Sequence, residues 1–227
     1  MEKNSTPTEP PPAEPRVGRP TPLPTWSFIG IIVVVQVVDR LIGRRATFDR
    51  FTQAPSLRDT LIGLQVAGDV VFLAVAVVAV VVAAVGSRPR WINAVLVAYL
   101  AMATINLSLS VTALVVTADR LRVVHLTLLW DVGLVYVSTV LVFALWYRLL
   151  DCELRGGAFE FPTDPARPDR QPGWIDYVFL SFNTNATFGP TAEVVHARTA
   201  KVVMMVQTVI SLLVLVVLVA RIVGLGG

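Results

Sequence analysis

Residues 181–195, SFNTNATFGPTAEVV, separate a short helical pattern from the last long apolar run of the chain. The preceding residues, 174–184, can form a helix, but one too short to cross a bilayer. A short helix followed by irregular backbone is tolerated at membrane depth only where protein or a water-filled cavity surrounds it. The pattern therefore predicts a re-entrant helix and loop.

Long apolar segments enclose this loop and recur along the rest of the chain. A hydrocarbon core about 30 Å thick requires about 20 apolar residues per helix. A linker at 148–173, rich in Asp, Arg and Pro, interrupts the pattern before the loop. We predict an all-α integral membrane protein with five transmembrane helices plus one re-entrant pore-type helix and loop. The predicted spans are residues 26–43, 60–85, 91–117, 123–147 and 199–220.

The composition agrees with this class, because 55% of the 227 residues are hydrophobic and only 15% are charged. Residues 1–25 are polar and rich in proline, which predicts a disordered tail. We expect a three-helix membrane region at 26–122 and a separate module at 123–227. The expected location is the cell membrane, as a multi-pass protein, with a bacterial inner membrane favoured.

The charged residues lie mostly between the apolar segments, and the formal net charge is only +3. This arrangement suits phospholipid headgroups and gives no reason to expect a nucleic-acid partner. Arginines in the short connections place the first and third connections in the cytoplasm, and the N-terminus and long linker outside. A single cysteine, Cys152, and two histidines, His125 and His196, predict no intrachain disulfide, no metal site and no cofactor.

The stretch DYVFLSFNTNATFGPTAEVV, residues 176–195, resembles the pore module of potassium channels. That family has an outer helix, a pore helix, a T-V-G-Y-G filter followed by Asp, and an inner helix. This stretch matches without gaps, and the resemblance as a whole covers roughly residues 123–221. It places Thr184 and Thr187 on the family's threonines and Gly189 on the first filter glycine. The chain also resembles a group of bacterial multi-span membrane proteins with a similar loop, a resemblance that implies no particular activity.

Three substitutions depart from the channel filter. Phe188 replaces the valine, Pro190 replaces the tyrosine and Thr191 replaces the second glycine. A potassium filter uses stacked backbone carbonyls, and a β-branched residue at positive φ would cost roughly 1–3 kcal/mol. Pro190 also has no N–H and biases Gly189 towards extended backbone. We therefore expect the frame of a pore without a potassium-type filter.

The expected pore loop has Glu193 just outside its mouth. Asn183 and Asn185 either contact ions or, as buried polar groups commonly do, hydrogen-bond their neighbours. On the last span, three polar residues share one helical face, which either lines a central cavity or forms a polar seam between helices. The pore-loop candidates are Thr184, Thr187, Phe188, Gly189, Pro190, Thr191 and Glu193, and the cavity candidates are Gln207, Thr208 and Ser211.

Two acidic residues fall inside predicted spans, Asp69 in the second and Asp131 in the fourth. At 1.5 Å per residue both carboxyls lie about 12–14 Å deep in the same leaflet. Asn106, Ser108 and Ser110 of the third span fall near that depth. The acids form either a proton- or cation-binding site between helices or a hydrogen-bonded packing contact.

The resemblance and the loop together predict passive cation permeation with altered or weak selectivity. One module per chain implies a homo-oligomer, a tetramer, in contact with membrane lipid and with K+ or Na+ as the permeant ion. The alternatives are a non-conducting scaffold or sensor that keeps the frame, or a proton-coupled transporter using the two acids. We do not expect an enzyme, because no Ser–His pair, zinc motif or nucleotide loop is present, and VAGDV around Asp69 lacks the G-x-G-D pattern of intramembrane aspartyl proteases.

Overall fold

The fold was analysed in a computed structural model. Most of the residues that it describes lie in the second half of the chain. The described ranges are 32–37, 63, 66–71, 73–75, 77–78, 81, 91–116, 125–154, 156–162, 170–190 and 192–224. The predicted tail at 1–25 lies outside these ranges.

The architecture is helical, since 82% of the described residues are in helices. Four helices have defined bounds: α1 Trp91–Val116, α2 His125–Glu153, α3 Trp174–Thr187 and α4 Arg198–Gly224. Three of them contain segments that are long and apolar enough to cross a membrane, namely Asn93–Thr112, Val132–Glu153 and Arg198–Val219. The all-α class and the membrane-compatible character of the chain are thereby confirmed.

Residues 32–37 and the described residues between 63 and 81 are also helical. They fall in the first and second predicted spans. Part of this region packs on the long helices, because Ile32, Val35 and Val75 are buried in one core with Leu100 and Leu145.

The short helix α3 lies against both α2 and α4, and α1 packs on α2 and α4 from another side. A second core forms between α2, α3 and α4 around Phe143, Tyr147 and Leu180. Because α3 has 14 residues, it is about 21 Å long, shorter than a bilayer core.

A two-stranded antiparallel ribbon joins the segment before α3 to the segment after its loop. Strand β1, Phe159–Glu160, pairs with strand β2, Val194–Val195. The N–H of His196 adds a hydrogen bond to the carbonyl of Ala158, 3.1 Å away. The ribbon therefore ties together the two ends of the α3 hairpin.

Helix α2 continues to Glu153, six residues beyond the predicted end of the fourth span at 147. Two of the three charged residues in this extension are Arg148 and Asp151, and the sequence assigns both to the polar linker. Both are buried. The helix continues because both side chains form hydrogen bonds with the segments that fold back over them.

Candidate functional site

The candidate site is the hairpin formed by α3, the loop after it and the start of α4. At the start of α3, the N–H of Gly173 donates to Oδ2 of Asp176, 2.6 Å away. Asp176 also lies 3.7 Å from the guanidinium of Arg170. The carboxylate satisfies one backbone donor at the helix start and lies where the helix dipole favours negative charge.

Asp151 anchors the linker to α3. Its Oδ1 accepts the backbone N–H groups of Ala158 at 2.6 Å and Phe159 at 3.1 Å, and its Oδ2 accepts the hydroxyl of Tyr177. One buried carboxylate thus fixes α2, the start of β1 and the first turns of α3. Gly157 adopts φ +80° close to this carboxylate, and an added Cβ would lie 3.0 Å from Oδ1.

Arg148 completes this anchor. Its guanidinium lies over the ring of Tyr177, 5.0 Å from the centroid, and donates to the Tyr177 hydroxyl at 3.1 Å and to the carbonyl of Pro172 at 3.2 Å. Burial, and secondly the bond to Asp151, raise the pKa of Tyr177 above its usual value. The phenol therefore stays protonated and keeps donating to the carboxylate.

Gln207 connects α4 to α3 in the middle of the bundle. Its side chain is 0% exposed. Nε2 donates to the carbonyl and the hydroxyl of Ser181, at 2.9 and 3.0 Å, and lies 3.3 Å from Oδ1 of Asn185. Its Oε1 accepts the hydroxyl of Tyr147 on α2. One amide thus holds three helices together.

Ser211, one turn further along α4, extends this polar seam between α3 and α4. Its hydroxyl contacts both Oδ1 of Asn185 and, at 2.8 Å, the carbonyl of Gln207. The hydroxyl of Ser181 donates to the carbonyl of Val140 on α2, 2.8 Å away. Thr208 is half-buried and donates to its own helix, at the carbonyl of Met204.

Gln207, Ser211 and Asn185 therefore have the contacts of a seam between helices within one chain. Thr184 is also buried, and its hydroxyl donates to the carbonyl of Leu180 within α3 at 2.8 Å. A cavity on the axis of an oligomer involves several chains, so the cavity role of Gln207, Thr208 and Ser211 stays a prediction.

The loop begins at Thr187, the last residue of α3. Its hydroxyl lies 2.8 Å from the carbonyl of Asn183 and 3.0 Å from that of Gly189. Phe188 ends the helix in the left-handed region at φ 62°, and among the described loop residues it is the one with positive φ. A bulky residue in this region is strained, which marks the turn as locally constrained. Gly189, Pro190 and Phe188 all remain accessible in the single chain.

Glu193 follows the loop and is buried, with 8% of its surface exposed. Its Oε2 lies 3.3 Å from the N–H of Ala192. The carboxylate is therefore withdrawn from solvent in the single chain, whereas the sequence predicts it just outside a mouth. Thr191, another predicted loop residue, lies outside the described residues.

Of the two predicted intramembrane acids, only Asp69 has a side chain that the structure describes. Asp69 is half-buried and Oδ1 accepts from Nε2 of Gln36 at 3.2 Å. Asp131 lies within α2, but its side chain lies outside the described part of the chain. Ser108 and Ser110 donate to carbonyls of their own helix, at Thr104 and Asn106 respectively.

Four residues of the site escaped the sequence analysis: Tyr147, Arg148, Asp151 and Tyr177. The Arg148–Asp151 spacing of three is a signal that a helix continues, since such side chains are neighbours on a helix surface. Nothing in the sequence indicates that Tyr177 would meet both of them. Among the described residues, no group of three or more His, Cys, Asp or Glu side chains could hold a metal ion.

Comparison with protein-family models, with curated proteins and with solved structures finds no match. The class defined by the fold is therefore a helical protein with membrane-compatible helices and a short helix packed between two of them.

Proposed function

We propose that this protein is a homotetrameric channel-like membrane protein that conducts monovalent cations, K+ or Na+, passively and with weak selectivity. In this proposal five helices cross the cell membrane, and α3 with its loop enters from one side without crossing. The observation that carries the proposal is the position of α3, a 14-residue helix fixed between α2 and α4 by buried hydrogen bonds.

The C-terminal end of α3 supports cation rather than anion passage. The last carbonyls of a helix carry a partial negative charge. In this chain they are followed by the turn at Phe188 and Gly189, with the hydroxyl of Thr187 beside them. A pore loop at this place therefore offers oxygen atoms and the negative end of a dipole to a passing ion.

Weak selectivity follows from the backbone of the same turn. A selective potassium filter needs a row of inward-pointing carbonyls. Here the Gly189 carbonyl is within hydrogen-bonding distance of Thr187, and the left-handed conformation falls on Phe188. Residues 187–190, the described part of the loop, are consequently organised around a helix end and not as a repeated carbonyl ladder.

The outer face of α3 supports an oligomer. Ile175, Phe179 and Phe182 are exposed and follow one another at helical spacing, and the Phe188 ring after the helix is 43% exposed. Irregular backbone at membrane depth has to be covered by protein or water. Copies of the same chain arranged around an axis would cover both the apolar face and the loop.

A non-conducting scaffold or sensor is the second candidate, and one observation favours it. Gln207 and Ser211 use their polar groups within the chain, whereas the exposed residues of α4 between 202 and 219 are valine, leucine and methionine. An axial path lined by such residues would exclude water and ions.

A flux assay on purified protein in liposomes separates these candidates. We expect tetramers that pass K+ and Na+, and a several-fold lower flux after Thr187→Ala. Thr112→Ala is the matched control, because Thr112 is likewise exposed and donates to the carbonyl four residues earlier in α1. Its flux should equal that of the wild type.

Phe188→Gly tests whether the ring obstructs the path. Glycine adopts φ 62° freely, so the turn should be kept while the ring is removed. If the scaffold candidate holds, neither the wild type nor Phe188→Gly conducts any monovalent cation. A monomer or dimer without flux would eliminate the channel proposal.

A further inference from the structure

An apolar groove of about 540 Å³ runs between α1 and α4. Its α4 wall lies between residues 202 and 213, and its α1 wall is formed by Ser108, Val111 and Thr112. The hydroxyls of Ser108 and Thr112 donate to carbonyls of their own helix, each four residues earlier and 2.8 Å away. The groove therefore presents an apolar surface, although two of its lining residues carry hydroxyls.

Helix α3 carries an exposed apolar ridge that consists of Ile175, Phe179 and Phe182. These side chains follow one another at helical spacing, so they lie on one face of the helix. They are 77%, 53% and 48% exposed, and the described part of the chain therefore leaves the ridge uncovered. The ridge continues directly into the irregular backbone of residues 187–190, which needs a cover of protein or water at membrane depth.

The hydrogen bonds between α3 and α4 fix the relative height of the two helices. Gln207 of α4 is bonded to Ser181 of α3, and Ser211 of α4 is bonded to Asn185 of α3. From the first bond to the second, both helices advance by four residues in the same direction. Helices α3 and α4 are therefore parallel and in register, with an offset of 26 positions.

The ridge and the groove consequently lie at the same depth. With this offset, the ridge at 175–182 is level with residues 201–208, which overlap the groove wall at 202–213. A rotation about an axis along the membrane normal leaves every residue at its depth, so a neighbouring copy presents its groove at the height of the ridge. Helices α1 and α3 both pack on α4 but hardly on each other, so the two surfaces lie on different sides of the chain.

We propose that the ridge of each copy docks into the groove of its neighbour, so that the homotetramer closes through identical head-to-tail contacts. The inference rests on the tetramer of the proposed function and names the two surfaces that build it. Head-to-tail contacts form a closed ring when the rotation between copies closes. Each contact covers both apolar surfaces at once, and membrane helices associate through close side-chain packing of this kind. A lipid chain in the groove would leave the ridge and the loop behind it uncovered.

Charges near the N-terminal ends of α3 and α4 complement each other across this contact. Asp176 follows the first ridge residue, and its side chain is partly exposed. Arg198, the first residue of α4, is exposed and precedes Val202 and Val209 of the groove by four and eleven positions, which places it on their helical face. It lies about 6 Å along the helix from the level of Asp176, within reach of a long side chain. Such complementarity fixes the register of a contact.

Disulfide cross-linking of the full-length protein in liposomes tests the contact, with Cys152→Ser as the background. Phe182→Cys lies on the ridge and Val209→Cys lies in the groove. Oxidation of a chain that carries both changes should give a covalent ladder of two, three and four chains, because the two sulfurs of neighbouring copies come within bonding distance. A mixture of chains with one change each should give dimers only, and either chain alone should stay unlinked. Phe182→Cys with Leu212→Cys is the matched control and should give no ladder, because Leu212 is exposed on α4 outside the groove.

Filling the groove gives a second measurement that does not depend on oxidation. Val209→Trp should prevent the ridge from entering, so light scattering of the protein in detergent should find several-fold more monomer than in the wild type. Leu212→Trp is the matched control and should assemble as the wild type does. If Val209→Trp does not fold, the cross-linking result decides the question.

Cross-links between chains that carry Phe182→Cys alone would reveal a ridge-to-ridge contact and overturn the inference. A tetramer whose double-cysteine chains stay unlinked would overturn it as well, with lipid as the occupant of the groove, and would leave the channel proposal intact. A covalent ladder without cation flux would support the docking contact and eliminate the channel proposal.

Discussion

Replacement of Gln207 by leucine tests the central contact of the fold. The change removes the amide that bridges α2, α3 and α4 but keeps a side chain of similar size. The hydroxyl of Tyr147 loses its acceptor, and the hydroxyl of Ser181 keeps its bond to the carbonyl of Val140. The loss is therefore concentrated on Tyr147.

The size of the expected destabilisation follows from the loss of this acceptor. A buried hydroxyl without an acceptor costs about 1–3 kcal/mol, whereas polar bonds between membrane helices average about 0.6 kcal/mol. We expect Gln207→Leu to lower the free energy of unfolding by about 2 kcal/mol, a fall of roughly 4–8 °C in Tm at this chain length. Thr208→Val, on the same helix, should change it by less than about 0.5 kcal/mol.

A double-mutant cycle in detergent, followed by circular dichroism, isolates the bond. Tyr147→Phe removes the hydroxyl, so in Gln207→Leu/Tyr147→Phe both partners are apolar and no orphaned donor remains. We expect the double variant to be more stable than the sum of the single changes by about 1 kcal/mol. Additive effects, or a Gln207→Leu midpoint equal to that of Thr208→Val, would refute the reasoning.

Three further predictions concern the linker and its contacts with α3. Asp151→Ala should cost about 3–5 kcal/mol in unfolding free energy, because the N–H groups of Ala158 and Phe159 and the hydroxyl of Tyr177 lose their buried acceptor. Chemical unfolding measures the loss, and a loss below 1 kcal/mol would contradict the anchor. Because burial raises the pKa of Tyr177, the unfolded state loses this proton first, so stability should hold below about pH 10 and fall above it. The fall in stability above pH 10 should be smaller in Tyr177→Phe than in the wild type. Equal slopes of stability against pH in the two proteins would contradict this prediction. Glu160→Gln should change stability by less than about 1 kcal/mol, because its pair with His196 at 2.9 Å is exposed; a larger loss at high salt would be inconsistent with that exposure.

The helices of the second half of the chain were predictable from the sequence, because each contains about 20 apolar residues in one block. The short helix before the loop was predictable as well, although α3 continues three residues further, to Thr187. The end of α2 was not predictable from the sequence. Residues 148–153 are too polar to be assigned to a span, and they continue the helix because Asp151 binds backbone N–H groups of the returning chain.

The polar residues of the candidate site divide in a similar way. The sequence placed Gln207 and Ser211 on one helical face but left open whether that face lines a cavity or a seam. Only the packing of α4 on α3 brings them within hydrogen-bonding distance of Ser181 and Asn185. Glu193 is buried in the single chain, and its predicted position just outside a pore mouth stays a prediction.

The sequence by itself determined the class of this protein, its long helices and the short helix before the loop. These depend on local composition, and hydrophobicity sampled over about 20 residues decides them. Tertiary structure decided which polar groups meet: Arg148 and Asp151 with Tyr177, Gln207 with Ser181, and Asp69 with Gln36. Such pairs join residues 26–33 positions apart, and each forms because a buried polar group must find a partner wherever the packed helices bring one.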